Sequence, residues 1–339
     1  MRYAFLLQEH PNIRYRKSLE KLIVCELQAT LNKYKITDDS VTVEKFGTDT
    51  YLCFDLPEIP SNEILCSLSR QTGVALLSAI EGEQLRPVLR DRLYVYSEDL
   101  PHVLKYKGKT NPDFMYLMLH CALSLSNFSV FDRSLTVLDP MCGKGTGLFC
   151  TLCEGYQAIG FDADEKAIRE GVDYFSASLQ FHKRKYKKTE QSNTIQGGRP
   201  IRSVSFQLTE TGDKLTEASK RLSCFYADCA SIPKVLHKNC CHIAICDLPY
   251  GVQHAPKEGG GISNLEKVAR QGAIGCSFAL CKGGVAAFAV NTNTLPRNKM
   301  EAIFAEAGLS PVTESPWNDY SHWVEQAITR DLVLAKKEK

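Results

Sequence analysis

The sequence predicts an α/β protein in two parts, a small α+β unit followed by a larger, mostly parallel sheet covered by helices on both faces. Three observations predict it. Residues 1–80 read as strand, helix, two strands, helix, strand; from about residue 111 short apolar strands alternate with helices; and two of those later strands end in an acid followed by a turn. With 339 residues, 44% of them hydrophobic, the chain is long enough for two cores.

In the first part, residues 3–7 (YAFLL) form a candidate strand, and Leu19, Leu22, Ile23, Leu27 and Leu31 fall at helical spacing within 18–34. Residues 41–46 and 51–54 read as a hairpin across Gly47, followed by a helix over 61–71 and a strand over 74–80. This β-α-β-β-α-β order is that of a ferredoxin-like unit, placed at 1–104. It carries fifteen Lys+Arg and fifteen Asp+Glu up to residue 110, so charge gives it no nucleic-acid signature, and it either orients a substrate or braces its neighbour.

The second part, 105–339, has candidate strands at 136–138, 158–161, 223–226, 243–246, 285–290, 309–313 and 327–335, a seven-stranded, Rossmann-like sheet. The polar run 181–222 breaks the alternation and reads as a surface insertion. No apolar stretch is long enough to span a bilayer and the amino end has no secretory h-region, so a cytoplasmic protein is expected. The 14 Cys are scattered through apolar segments without a completed zinc set, which suits reduced, buried thiols and no metal.

The chemistry gathers at strand ends. Thr136-Val-Leu-Asp139-Pro-Met-Cys-Gly143-Lys-Gly145-Thr-Gly147 runs from a strand through a glycine-rich turn into a helix, where backbone can approach a ligand closely. Nineteen residues past Gly143, the next strand ends in Asp162, placed to accept hydrogen bonds from ribose hydroxyls. The glycine spacing fails the dinucleotide fingerprint and no P-loop follows. Asp139 would repel a pyrophosphate, but it suits the ammonium and sulfonium of S-adenosylmethionine.

A second constellation, Asp247-Leu-Pro249-Tyr250-Gly251, closes another strand on the same edge. Asp247 and the Leu248 carbonyl can accept the two N–H bonds of an exocyclic amine while Tyr250 stacks on its base. Between the two, Asp228 is placed either to reach an adenine amino group or to cap its own turn. Asn291 to Thr294 lies at the end of another strand, as a base-pocket lining or as a plain loop. Trp317, Tyr320 and Trp323 read as packing residues. The run His182 to Lys188 holds five cations, Lys183, Arg184, Lys185, Lys187 and Lys188, and fits either RNA phosphates near the target base or a solvated helix end.

Together these motifs resemble the class I S-adenosylmethionine-dependent methyltransferases that carry an Asn/Asp-Pro-Pro-Tyr-type motif, and within them the RNA guanosine-N2-methyltransferases, including the THUMP-associated tRNA enzymes. The resemblance covers about residues 105–335, with Lys107-Gly-Lys-Thr110-Asn111-Pro112 similar to the family's segment over the cofactor. It implies a catalytic set of Asp247, Leu248, Pro249 and Tyr250. It implies cofactor contacts from Thr110, Asn111, Asp139, Met141, Cys142, Gly143, Gly145, Thr146, Asp162, Ala163, Asp228, Cys229 and Asp247. The activity implied is methyl transfer to guanine N2 of RNA, with tRNA as the partner; an adenine-N6 or cytosine-N4 DNA enzyme and a non-catalytic RNA-binding module are the competing readings. Lys144 stands where the family commonly has Ser, and its ammonium is expected to point outward toward a nucleic-acid phosphate. The amino-terminal region is shorter than a full THUMP arrangement.

Overall fold

The computed structural model describes residues 1–8, 13–37, 40–57, 59–88, 99–106, 109–193, 200–209, 220–249 and 261–339. At the amino end, β1 (Arg2–Leu7), α1 (Ile13–Lys33), β2 (Thr42–Phe46), β3 (Asp49–Asp55), α2 (Asn62–Ser69), β4 (Val74–Glu81) and β5 (Gln84–Pro87) build one sheet and its helices. The strand order is β2-β3-β1-β4-β5, every pair antiparallel. The helical spacing seen in α1 buries Leu19, Leu22, Ile23, Leu27 and Leu31. Ser61 caps α2 by accepting the Ile64 N–H. The fifth strand follows a tight turn at Gly82 (φ +61°) and was not anticipated from its short, polar sequence.

The larger part comprises α3 (Leu100–Val103), α4 (Pro112–Leu125), β6 (Thr136–Asp139), α5 (Thr146–Cys153), β7 (Gln157–Asp162), α6 (Glu165–Phe181), β8 (Tyr186–Asn193), β9 (Ile201–Leu208) and β10 (Lys220–Tyr226), then α7 (Ile232–Val235), β11 (Cys241–Asp247), α8 (Gly261–Ala279), β12 (Leu280–Asn291), α9 (Arg297–Glu306), β13 (Ser310–Pro311), β14 (His322–Glu325) and β15 (Ile328–Lys336). The sheet has ten strands rather than the expected seven, in the order β13-β15-β12-β11-β6-β7-β10-β9-β8, with β14 also pairing β15. β6, β7, β10, β11 and β12 are parallel; β8, β9, β13, β14 and β15 enter antiparallel. Two of the extra strands, β8 and β9, come from the run read as a surface insertion. β9 alternates buried Val204, Phe206 and Leu208 with the less buried Ser205 and Gln207, so it pairs as a half-buried strand. β8 (YKKTEQSN) is too polar to register as one.

The two parts share a continuous apolar core that runs from Phe5, Leu22 and Leu77 through Leu119 and Cys121 of α4 to Val137, Val285 and Leu332. α1 packs along α4, and polar groups close that seam. Lys33 donates to the carbonyls of Leu123 (2.8 Å), Ser126 (3.1 Å) and Phe128 (2.7 Å) at the end of α4. Glu26, fully buried, meets His120 Nδ1 at 2.8 Å and accepts the Thr72 N–H at 3.1 and 3.2 Å. Arg70 of the first part pairs with buried Glu154 of the second and donates to the Tyr156 hydroxyl at 3.3 Å.

Helix α6 meets the glycine-rich turn over a glycine. A Cβ on Gly171 would stand 2.4 Å from the Lys144 carbonyl oxygen, an atom of the backbone in the glycine-rich turn. Gly171→Ala is therefore expected to cost about 1–3 kcal/mol of stability by overpacking and to displace that turn. Chemical denaturation of the variant beside the parent measures it, and an unchanged midpoint would show that the turn yields freely.

Candidate active site

The strand order reverses between β6 and β11, because the chain goes from β6 to β7 on one side and later returns to β11 on the other. Open parallel sheets bind ligands at the carboxyl edge of such a switch point. Here three adjacent strands end in acids: β7 in Asp162, β6 in Asp139 and β11 in Asp247.

The glycine-rich turn is held from both sides. Gly143 (φ +52°) and Gly145 (φ +92°) take left-handed conformations that an L side chain resists, which folds the turn back on itself before α5 begins. The Gly143 N–H donates to Asp162 Oδ2 at 2.7 Å, and the Asp164 N–H to Asp162 Oδ1 at 2.8 Å, so Asp162 ties the turn to the end of β7. The Cys142 N–H donates to the Phe161 carbonyl at 2.8 Å. Gly147 serves close packing instead: a Cβ there would stand 2.8 Å from Asp139 Oδ2 and 2.6 Å from Met115 Cε.

Asp139 is 3% exposed and accepts the Met141 N–H at 3.1 Å. Burial pushes its carboxyl up to about 8 against the one backbone bond, and the charges of Asp162 and Asp247 add to that push. Asp162 is also raised, chiefly by burial, against its two backbone donors. Carboxylates that repel one another in a buried place form a site for a cation.

At the end of β11, the Thr110 hydroxyl donates to Asp247 Oδ2. Asn111 uses its side chain to cap α4, accepting the Asp113 N–H at 3.0 Å. Leu248 is buried and its N–H donates to the Ala289 carbonyl at 3.1 Å, which fixes the strand end behind Pro249. Tyr250, Gly251, Lys107 and Gly108 lie outside the described residues. Thr146 is buried, with its hydroxyl 3.1 Å from that of Tyr106. Met141 is half-buried, Cys142 and Cys229 buried, and Ala163 and Asp228 exposed on the same edge. Asp228 accepts the Ser231 hydroxyl at 2.8 Å, so it does brace its own turn.

One expectation changes, and two open alternatives are decided. Lys144 does not point out to a phosphate: it pairs with Glu170 of α6 and lies over the Tyr106 ring, 4.7 Å from its centroid. The basic run is not near the edge that carries the three acids. β9 reverses the chain, so Lys187 stands level with Gln207 and Arg221, whereas that edge is level with Tyr226 and Asp162. Five residues of strand separate the two levels, about 16 Å. Asn291 is a loop-forming residue rather than a pocket lining, bonding Asn293, Ala327 and Thr329 through its side chain. Of the aromatic residues near the last strands, Trp317 and Tyr320 are buried, while Trp323 is 44% exposed. Tyr106 was missed in the sequence, although it adjoins the Lys107–Pro112 segment singled out there.

No family model matches the chain, and no curated protein matches it. Several solved structures do resemble it at low identity. One is TrmN from Thermus thermophilus, 11% identical with a TM-score of 0.44 over 99% of this chain and 100% of that one. Another is a TehB-like SAM-dependent methyltransferase from Corynebacterium glutamicum, 12% identical with a TM-score of 0.36 over 61% and 82%. A third is the T. thermophilus 16S rRNA N2 G1207 methyltransferase RsmC in complex with AdoMet and guanosine, 15% identical with a TM-score of 0.31 over 61% and 36%.

Proposed function

We propose that the chain is an S-adenosylmethionine-dependent RNA methyltransferase acting on guanine N2, with tRNA as its substrate class. The observation that carries the reading is the row of three acids, Asp162, Asp139 and Asp247, at the carboxyl ends of adjacent strands beside the glycine-rich turn. The site fits a cationic nucleoside cofactor. Asp139 and the turn from Met141 to Thr146 would hold its amino-acid end, Asp162 its ribose, and Asp228, through the oxygen that Ser231 does not hold, its adenine. When bound, S-adenosylmethionine supplies an electrophilic methyl group.

The chain's own residues would do the rest. Asp247 accepts one N–H of the target amine and takes the proton that the amine sheds as it becomes cationic. The Leu248 carbonyl accepts the other N–H, which turns the nitrogen lone pair out of conjugation with the base. Thr110 donates to one oxygen of Asp247 and so orients the carboxylate. Tyr250, from its place in the sequence, stacks on the base. The RNA and guanine assignments rest on the resemblance of the Asp247-Leu-Pro249-Tyr250 motif. We read the amino-terminal sheet as a ferredoxin-like unit with an added edge strand, because β1 lies between β3 and β4 in it. Its apolar, hydrogen-bonded seam with α4 suits a part that orients RNA over the site.

Transfer of a labelled methyl group from S-adenosylmethionine into bulk RNA or DNA tests this function. Label in RNA is expected; label in DNA alone, or in neither, overturns it.

Asp139 adds a dependence on pH. Its folded-state value of about 8 lies above the ordinary 3.8, so the free protein holds a proton there that the unfolded chain has lost. Stability from this group is therefore greatest in acid and falls as pH rises from about 4 to about 8. A bound ammonium or sulfonium favours the ionised form, so cofactor binding is expected to tighten toward pH 8 and to release a proton. Calorimetric titration of the cofactor in buffers of different ionisation enthalpy, at pH 6.5 and 8.5, reads both. A buffer-independent heat together with a flat affinity would count against the assignment of Asp139.

A further inference from the structure

All 14 cysteines are free, and twelve are buried; only Cys240 and Cys281 are half-buried. Burial pushes Cys25 up to about 11 and Cys224 and Cys229 to about 12, which keeps those thiols protonated and inert. Cys240 and its neighbour Cys241 form a different environment.

Their sulfurs lie 3.7 Å apart. Consecutive side chains in an extended strand point to opposite faces, so this proximity requires a break in the strand. One is present. Cys240 precedes β11, Asn239 just before it has φ +60°, and the pairing of β11 with β12 shifts register between Cys241 and Ile243. The kink brings both sulfurs to one side at the start of β11, the end opposite Asp247 and about 20 Å from it along the strand. Cys281 is close by, since Cys241 pairs with Leu280 across the sheet. Among the described residues no group of three or more His, Cys, Asp or Glu is arranged to hold a metal ion, so the cluster is a dithiol rather than a metal centre.

We propose that Cys240 and Cys241 are a reactive vicinal dithiol and a site of modification by small disulfides, with Cys240 as the attacking sulfur and Cys241 as the resolving one. The Cys241 S–H bond and backbone N–H groups stabilise the Cys240 thiolate and hold its thiol down at about 7, whereas burial pushes Cys281 up. Cys240 is also the more accessible of the pair.

In the first step the Cys240 thiolate attacks one sulfur of the small disulfide; a Cys240 mixed disulfide forms, and the other half leaves as a thiolate. Cys241 then gives its proton to solvent, its sulfur attacks that of Cys240, and the second half leaves as a thiolate. The small disulfide gains two electrons, and the cysteine pair loses them on forming its own S–S bond.

The test uses the full chain and one equivalent of oxidised glutathione at pH 7, with the products mapped by mass spectrometry after rapid acid quenching. In the parent, Cys240 is expected to react about tenfold faster than Cys281, and the product is a 240–241 peptide lighter by two hydrogens. In Cys241→Ser the glutathione adduct on Cys240 accumulates, and Cys240→Ser leaves the site unmodified. Phenylarsine oxide, which needs two neighbouring thiols, is expected to label the parent and neither variant. First modification of Cys281 or of a buried cysteine in the parent overturns the proposal, as does equal labelling by the arsenical of the parent and Cys240→Ser. The parent's peptide map decides the first of these even where a variant folds poorly.

Discussion

Asp247→Ala is expected to lower methyl transfer by about 10²–10⁴-fold while the cofactor still binds. The proposed role of Asp247 lies with the amine, whose N–H it accepts and whose proton it removes, while the greater part of the proposed cofactor site is assigned to Asp139, Asp162 and the glycine-rich turn. Asp247→Asn is the finer probe. It keeps an acceptor oxygen beside Thr110 but cannot take a proton, so it should bind RNA and cofactor as the parent does and still turn over slowly. Single-turnover rates beside cofactor titrations separate the two effects. Parent-like turnover in Asp247→Ala would remove Asp247 from the chemistry.

The second large effect is on stability. Arg70, whose side chain is 10% exposed, pairs with Glu154, whose side chain is 1% exposed, across the seam between the two sheets. His120 Nε2 lies 3.6 Å from the same Glu154 oxygen, and its Nδ1 meets Glu26. Arg70→Ala would leave a buried carboxylate beside a second one with a single imidazole between them. Removing one partner of a buried pair costs about 3–5 kcal/mol, because the remaining charge stays desolvated. In a chain of this size the melting temperature should fall by roughly 4–7 °C. Changing both residues, Arg70→Met with Glu154→Gln, should recover much of that loss, because no unpaired charge remains. A loss below about 1 kcal/mol in Arg70→Ala would show that water reaches the seam.

The sequence reveals the edge of the site better than its interior. Asp139, Asp162 and Asp247 each follow a short apolar run, and an acid closing a buried parallel strand falls at the carboxyl edge whatever the strand order. Local pattern was enough for these three and for the glycine-rich turn from 143 to 147. Contacts between distant residues were not legible. Thr110 meets Asp247, and Arg70 meets Glu154, only because the chain folds back between them. Lys144 looked like a free cation because Glu170, which neutralises it, sits a strand and half a helix later. The place of the basic run was not legible for a topological reason. Without the polar strand β8 and its partner β9 in view, nothing showed that the chain starts that excursion at the far end of the sheet.

The central claim is the identity of the methylated atom. Purified chain, S-adenosylmethionine and unmodified tRNA transcripts, followed by digestion to nucleosides and mass spectrometry, test it most directly. The account predicts N2-methylguanosine, present with the parent and lost with Asp247→Ala. Methyl on adenine N6 or cytosine N4, or N2-methylguanosine formed equally by Asp247→Ala, would contradict it.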